Sequence, residues 1–130
     1  MMFGWAWIGF ALVLALHVAD EAAHAFLAVY NPIARAIRLR LPLLPIPTFR
    51  FSVWLGGLSA GIALLLALSP LAFAGAAWLR TAAIWLALLV GIGNGILHIA
   101  GSLWYRRFMP GLYSAPLMIL AGASLILAAR

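Results

Sequence analysis

Five side chains in this sequence carry an imidazole or a carboxylate, and four of them fall within eight residues: His17, Asp20, Glu21 and His24. The fifth, His98, stands far downstream, four positions after Asn94. On a helix turning about 100° per residue, the first four share an arc of about 100°. His17/Glu21 and Asp20/His24 are i,i+4 pairs, while His17/Asp20 and Glu21/His24 are i,i+3 pairs. Such pairs project side by side and can share one ion, as helical zinc and iron motifs do. His17 and His24 lie about 10.5 Å apart along the axis, so one ion held by both strains the geometry. A second helix bearing His98 completes two or three imidazoles plus a carboxylate. Three protein ligands and an open position describe catalytic zinc, which lowers the pKa of bound water to about 7. The candidate ligands are therefore His17, Glu21, His24 and His98, with zinc ahead of iron. Whichever of Asp20 and Glu21 is left unligated is the candidate general base. Asn94 joins them as a helix-packing hydrogen-bond partner, a support for a ligand, or a ligand. A di-iron centre usually brings four carboxylates, and this chain has two acidic residues.

The elements that must position these groups are apolar. Of the 130 residues 68% are hydrophobic and 8% are charged, against about 25% charged in soluble domains. Composition points to an all-α integral membrane protein, in which a charge at mid-bilayer costs roughly 2.5–3.5 kcal/mol and marks function. Four spans are predicted, at about residues 3–30, 49–68, 76–105 and 112–129, in a single domain covering 1–130. Span one reads as a retained span rather than a signal peptide, because it lacks a positive start and runs too long. Trp5, Trp7 and Tyr30 are expected at its two interfaces, and Asn31-Pro32 is expected to stop it. A basic connector, 31–48, follows: a short interfacial helix around Arg35 and Arg38, then an extended stretch through Pro42, Pro45 and Pro47. Gly57 and Gly61 allow close helix approach in span two, and Gly91 and Gly95 do so beside Asn94 and His98 in span three. Pro116 either kinks span four or falls in its first turn.

The net charge of +6 comes from arginines, with no lysine and no cysteine. They sit between apolar runs rather than on a basic face interleaved with aromatics, which argues against nucleic acid and for lipid headgroups and topology. Arg35, Arg38, Arg40, Arg50, Arg106 and Arg107 lie on one side of the bundle, and Arg80 and Arg130 on the other. By the positive-inside rule both termini face away from the cytoplasm. Spans one and three then run in the same direction and bring His24 and His98 to similar depth.

The order His17-Val-Ala-Asp20-Glu21, Asn94-Gly-Ile-Leu-His98, Pro110-Gly111 resembles the HXXEE-domain family of small bacterial membrane proteins. The resemblance covers about residues 17 to 112. Position 20 departs from it, with Asp where the motif has Glu. It implies a multi-pass protein of the bacterial inner membrane, an enzyme with no assigned reaction, and importance for His17, Asp20, Glu21, Asn94, His98 and the Pro110-Gly111 turn.

Three functions follow from these residues. The first is a metal-dependent hydrolase acting on a lipid or other apolar substrate. The second is a proton- or cation-relaying transport component, for which four spans would call for a homodimer. The third is a non-catalytic assembly protein whose polar cluster fixes helix packing.

Overall fold

Alanine and leucine, the strongest helix formers, fill the apolar runs, and in the computed structural model the chain forms six helices and no strand. All 130 residues are described. The helices are α1 (Met2–Ala23), α2 (Phe26–Arg40), α3 (Phe51–Ala67), α4 (Ser69–Phe73), α5 (Ala77–Tyr105) and α6 (Ala115–Ala129). Helix α1 is central: α6, α3 and α4 all pack on it, and α5 lies against α6. Phe3 and Phe10 of α1, Leu79 of α5, and Met118 and Leu125 of α6 are fully buried in the core. The Trp7 indole donates to the Leu65 carbonyl at 2.7 Å and ties α1 to α3. Trp7 is therefore a buried core residue, not the interfacial marker expected from the sequence.

Only α1 and α5 are long and apolar enough to cross a membrane. The 17 residues of α3 and the 15 of α6 extend about 25 and 22 Å, short of a hydrocarbon core of about 30 Å. Helix α6 is shorter than the run expected from residue 112, because a turn through Gly111 (φ 85°) and Ser114 occupies its start. Pro116 falls in its first turn. Gly57 and Gly61 meet no neighbour, whereas a Cβ at Gly91 would lie 3.0 Å from the Gly122 Cα and one at Gly95 would lie 2.9 Å from the Ala115 carbonyl oxygen. The close approach predicted for α5 is made against α6, and none is made by these glycines of α3.

The first helix does not continue to Tyr30. It ends at Ala23, and Ala25 adopts a left-handed conformation with φ 54° and ψ 47°. A non-glycine residue there costs roughly 1–2 kcal/mol. The break is held by His24, whose Nδ1 donates to the Asp20 carbonyl oxygen at 2.8 Å and to Asp20 Oδ1 at 2.9 Å. An imidazole bonded to a last-turn carbonyl closes a helix end as a basic side chain does. Nor does Pro32 stop the next helix, which runs through it to Arg40. The Ala28 carbonyl loses its intrahelical donor. Outside bonds hold the segment instead: the Asn31 amide pairs with both the N–H and the C=O of Phe49, and the Tyr30 hydroxyl donates to Pro47 O.

Helix α5 contains a π-helical segment, Ala87–Gly93, immediately before Asn94. A π turn inserts one residue into the α-helical repeat and so rotates everything downstream by about 100° relative to an unbroken helix. Asn94 and His98 consequently face α1, while Gly91 and Gly95 face α6.

Candidate metal centre

The α1 arc divides into two sides with His17 in the middle. Setting His17 at 0°, Glu21 lies at about +40° and Asp20 and His24 at about −60° and −20°. On one side Glu21 meets α5: His98 Nε2 lies 3.1 Å from Glu21 Oε1, and His17 Nε2 lies 3.7 Å from the same oxygen. The donor atoms of His17, Glu21 and His98 all lie within 4.8 Å of one another. Donors at about 2.0–2.2 Å around a tetrahedral ion stand roughly 3.4 Å apart, so these three need only small shifts to share one. All three are buried, His17 at 1% exposure and Glu21 and His98 at 5%. The two imidazoles meet edge to face at 4.9 Å.

On the other side Asp20 and Ser114 face each other. Asp20 Oδ2 accepts from the Ser114 backbone N–H at 3.0 Å and from its hydroxyl at 2.7 Å. The carboxylate thereby satisfies a free N–H at the start of α6, where negative charge is also favoured by the helix dipole. Ser114 Oγ also lies 2.7 Å from His17 Nδ1. Asn94 Nδ2 lies 2.9 Å from His17 Nε2.

Of the residues singled out from the sequence, the structure brings His17, Glu21 and His98 into one cluster and sets Asn94 beside it. Asp20 and His24 are not part of that cluster. His24 is a helix cap, with its ring against Phe108 and Tyr113 and its side chain 40% exposed. His98 packs against His17 and Glu21 on one side and the Phe26 ring on the other, so it lies level with the stretch that includes His24 without touching it. Ser114 was not among the candidates, although a serine just ahead of a proline-bearing first turn is a helix-start signal. Gly111 explains the Pro-Gly turn. A Cβ there would lie 2.7 Å from His98 Cε1 and 3.0 Å from His17 Cε1. Both rings therefore rest on a glycine whose positive φ also disfavours any side chain.

The family model for proteins of unknown function with the HXXEE motif matches residues 7–126. The chain belongs to that family. No curated protein and no solved structure matches it. In this HXXEE protein the motif residues His17 and Glu21 point into the cluster, while Asp20, at the motif's first acidic position, reaches α6. The motif is thus one helix turn that addresses two partner helices.

Next to the cluster lies a cleft of about 270 Å³ between α1, α3 and α5, with Phe26 of α2 at its edge. His17, Glu21 and Asn94 are its polar lining, and Leu14, Val18, Trp54, Leu58 and Leu89 are among its apolar walls. Trp54 is buried here.

Proposed function

We propose that this chain is a four-span protein of the bacterial inner membrane that holds one divalent metal ion, zinc ahead of iron, on His17, Glu21 and His98. Held by these residues, the ion would supply the Lewis acidity that activates water for hydrolysis of a lipid or other apolar substrate. The observation that carries the reading is the convergence of two imidazole nitrogens and a carboxylate oxygen within 4.8 Å. Three protein ligands with an open position are the pattern of hydrolytic zinc sites. The apolar cleft beside them supports the substrate class, since its walls offer an acyl or alkyl group no competing polar contact.

Membrane insertion draws on the two long apolar helices and on large side chains such as Leu16, Trp85, Leu97 and Leu127 that face outward. A helical path from Phe51 through Leu68 into α4 reaches Phe73, long enough for a third crossing. Helix α6 serves as the fourth, with local thinning or tilt of neighbours absorbing its short length. The arginines orient the bundle with both termini outside the cytoplasm.

Protein purified in detergent is expected to carry about one zinc or iron per chain by elemental mass spectrometry. His98→Ala and Glu21→Gln are expected to carry close to none while keeping their helical circular dichroism. A native protein that stays metal-free after incubation with either ion removes the reading.

A second reading, proton or cation relay, is favoured by the unbroken hydrogen-bonded series His24–Asp20–Ser114–His17 from a half-exposed ring to the buried cluster. Flux into liposomes that His98→Ala leaves unchanged counts against it.

A further inference from the structure

We infer that Ser114 and Asp20 form a positioning device that holds His17 as the Nδ1–H tautomer, with Nε2 left as an acceptor on the side of Asn94, Glu21 and His98. The deduction is a count of protons. Ser114 Oγ carries a single hydrogen, and it stands 2.7 Å from Asp20 Oδ2, 2.7 Å from His17 Nδ1 and, more distantly, 3.3 Å from the Gly111 carbonyl oxygen. The same carboxylate oxygen already accepts the Ser114 N–H at 3.0 Å. An ionised carboxylate only accepts, so the serine hydrogen goes to Asp20. Ser114 Oγ then faces Nδ1 with lone pairs alone, and Nδ1 must be the donor. The opposite end of the ring is compatible: with its amide nitrogen 2.9 Å from His17 Nε2, Asn94 donates to the lone pair that this tautomer leaves there. The Ser114–Asp20 pair selects the tautomer, and the Asn94 amide, which can turn, matches it.

The selected tautomer is the one a metal needs. A ligating imidazole usually donates its other N–H to an oxygen, which fixes the ring and raises its basicity. Ser114 supplies that oxygen, and Asp20 fixes which way the serine hydroxyl points. Asp20 acts on the cluster through Ser114 and His17 without touching it. This extends the metal reading above, but the tautomer itself exists without an ion and can be tested without one.

Nitrogen chemical shifts of His17 in the metal-free protein, labelled at the imidazole nitrogens, report the tautomer directly. Native protein and Ser114→Thr, which keeps the hydroxyl, are expected to give the Nδ1–H pattern. Ser114→Ala is expected to shift His17 to the Nε2–H form or to a mixture, with Asn94 turning its carbonyl oxygen toward the ring. Zinc affinity measured by chelator competition is expected to fall about 10–100-fold in Ser114→Ala and to recover in Ser114→Thr. Native His17 in the Nε2–H form overturns the inference, and so does Ser114→Ala with an unchanged tautomer. If the tautomer responds as expected but no variant binds zinc, the positioning device stands and the metal reading falls.

Discussion

At the scale of single residues, Gly111 is hard to replace although it carries no chemistry of its own. Two constraints meet there: a φ of 85° and a face pressed against both imidazoles. Gly111→Ala must strain the backbone and push the His98 ring, whose Cε1 would sit 2.7 Å from the new Cβ. We expect a loss of about 1–3 kcal/mol in stability, measured as a lower midpoint in detergent unfolding. A weaker metal complex should accompany it, because the ring that moves is a proposed ligand. Equal stability and equal binding in this variant would mean that the turn is not what holds the two rings. His24 teaches the opposite lesson. Its spacing from Asp20 suits an ion, yet its Nδ1 is engaged by two oxygens of Asp20 at the end of α1.

At the scale of elements, the π segment of α5 decides which face of that helix meets α1. Leu89 lies within it and is exposed, so its removal costs little packing. Deleting Leu89 should remove the inserted residue together with the wide turn, giving a regular α ladder in which Asn94 and His98 keep their direction toward His17 and Glu21. The expected outcome is a protein with full helical content that still binds metal. Loss of metal from the deletion variant would show that the wide turn itself, and not only the register it preserves, shapes the site. Arg80 illustrates how the far end is secured. Its guanidinium donates to Ala128 O at 3.1 Å and lies 4.9 Å from the Phe3 ring centroid. A cation thereby closes the carbonyl end of α6, where the dipole is negative, while Asp20 closes the amide end.

At the scale of the whole molecule, orientation is the property with the simplest test. The native chain contains no cysteine, so single cysteines can be placed without a background. Arg130→Cys is expected to react with an impermeant maleimide added outside intact cells. Arg38→Cys, in the basic helix α2, is expected to react only after lysis. The reverse pattern overturns the proposed orientation, and reaction of both without lysis overturns the crossing of the membrane.

The sequence by itself determined the helical class, the apolar character of α1, α3, α5 and α6, and the chemistry available to the site. These follow from composition and spacing, which act locally: alanine and leucine favour helix, and residues four apart share a face. His17, Glu21 and His98 were legible because imidazoles and carboxylates are costly in apolar segments and few in number. The family was legible for a related reason, since its motifs are short runs of such residues in a fixed order. Tertiary structure alone decided how the arc on α1 is divided. Asp20 and His24 are as well spaced for a shared ion as His17 and Glu21 are. What separates them is Ser114 at the start of α6, a contact between residues 94 positions apart, and the helix end at His24. The tautomer of His17 belongs to the same level. It is set by one hydroxyl at the start of α6 and the carboxylate that holds it, and helical periodicity within α1 carries no information about that hydroxyl.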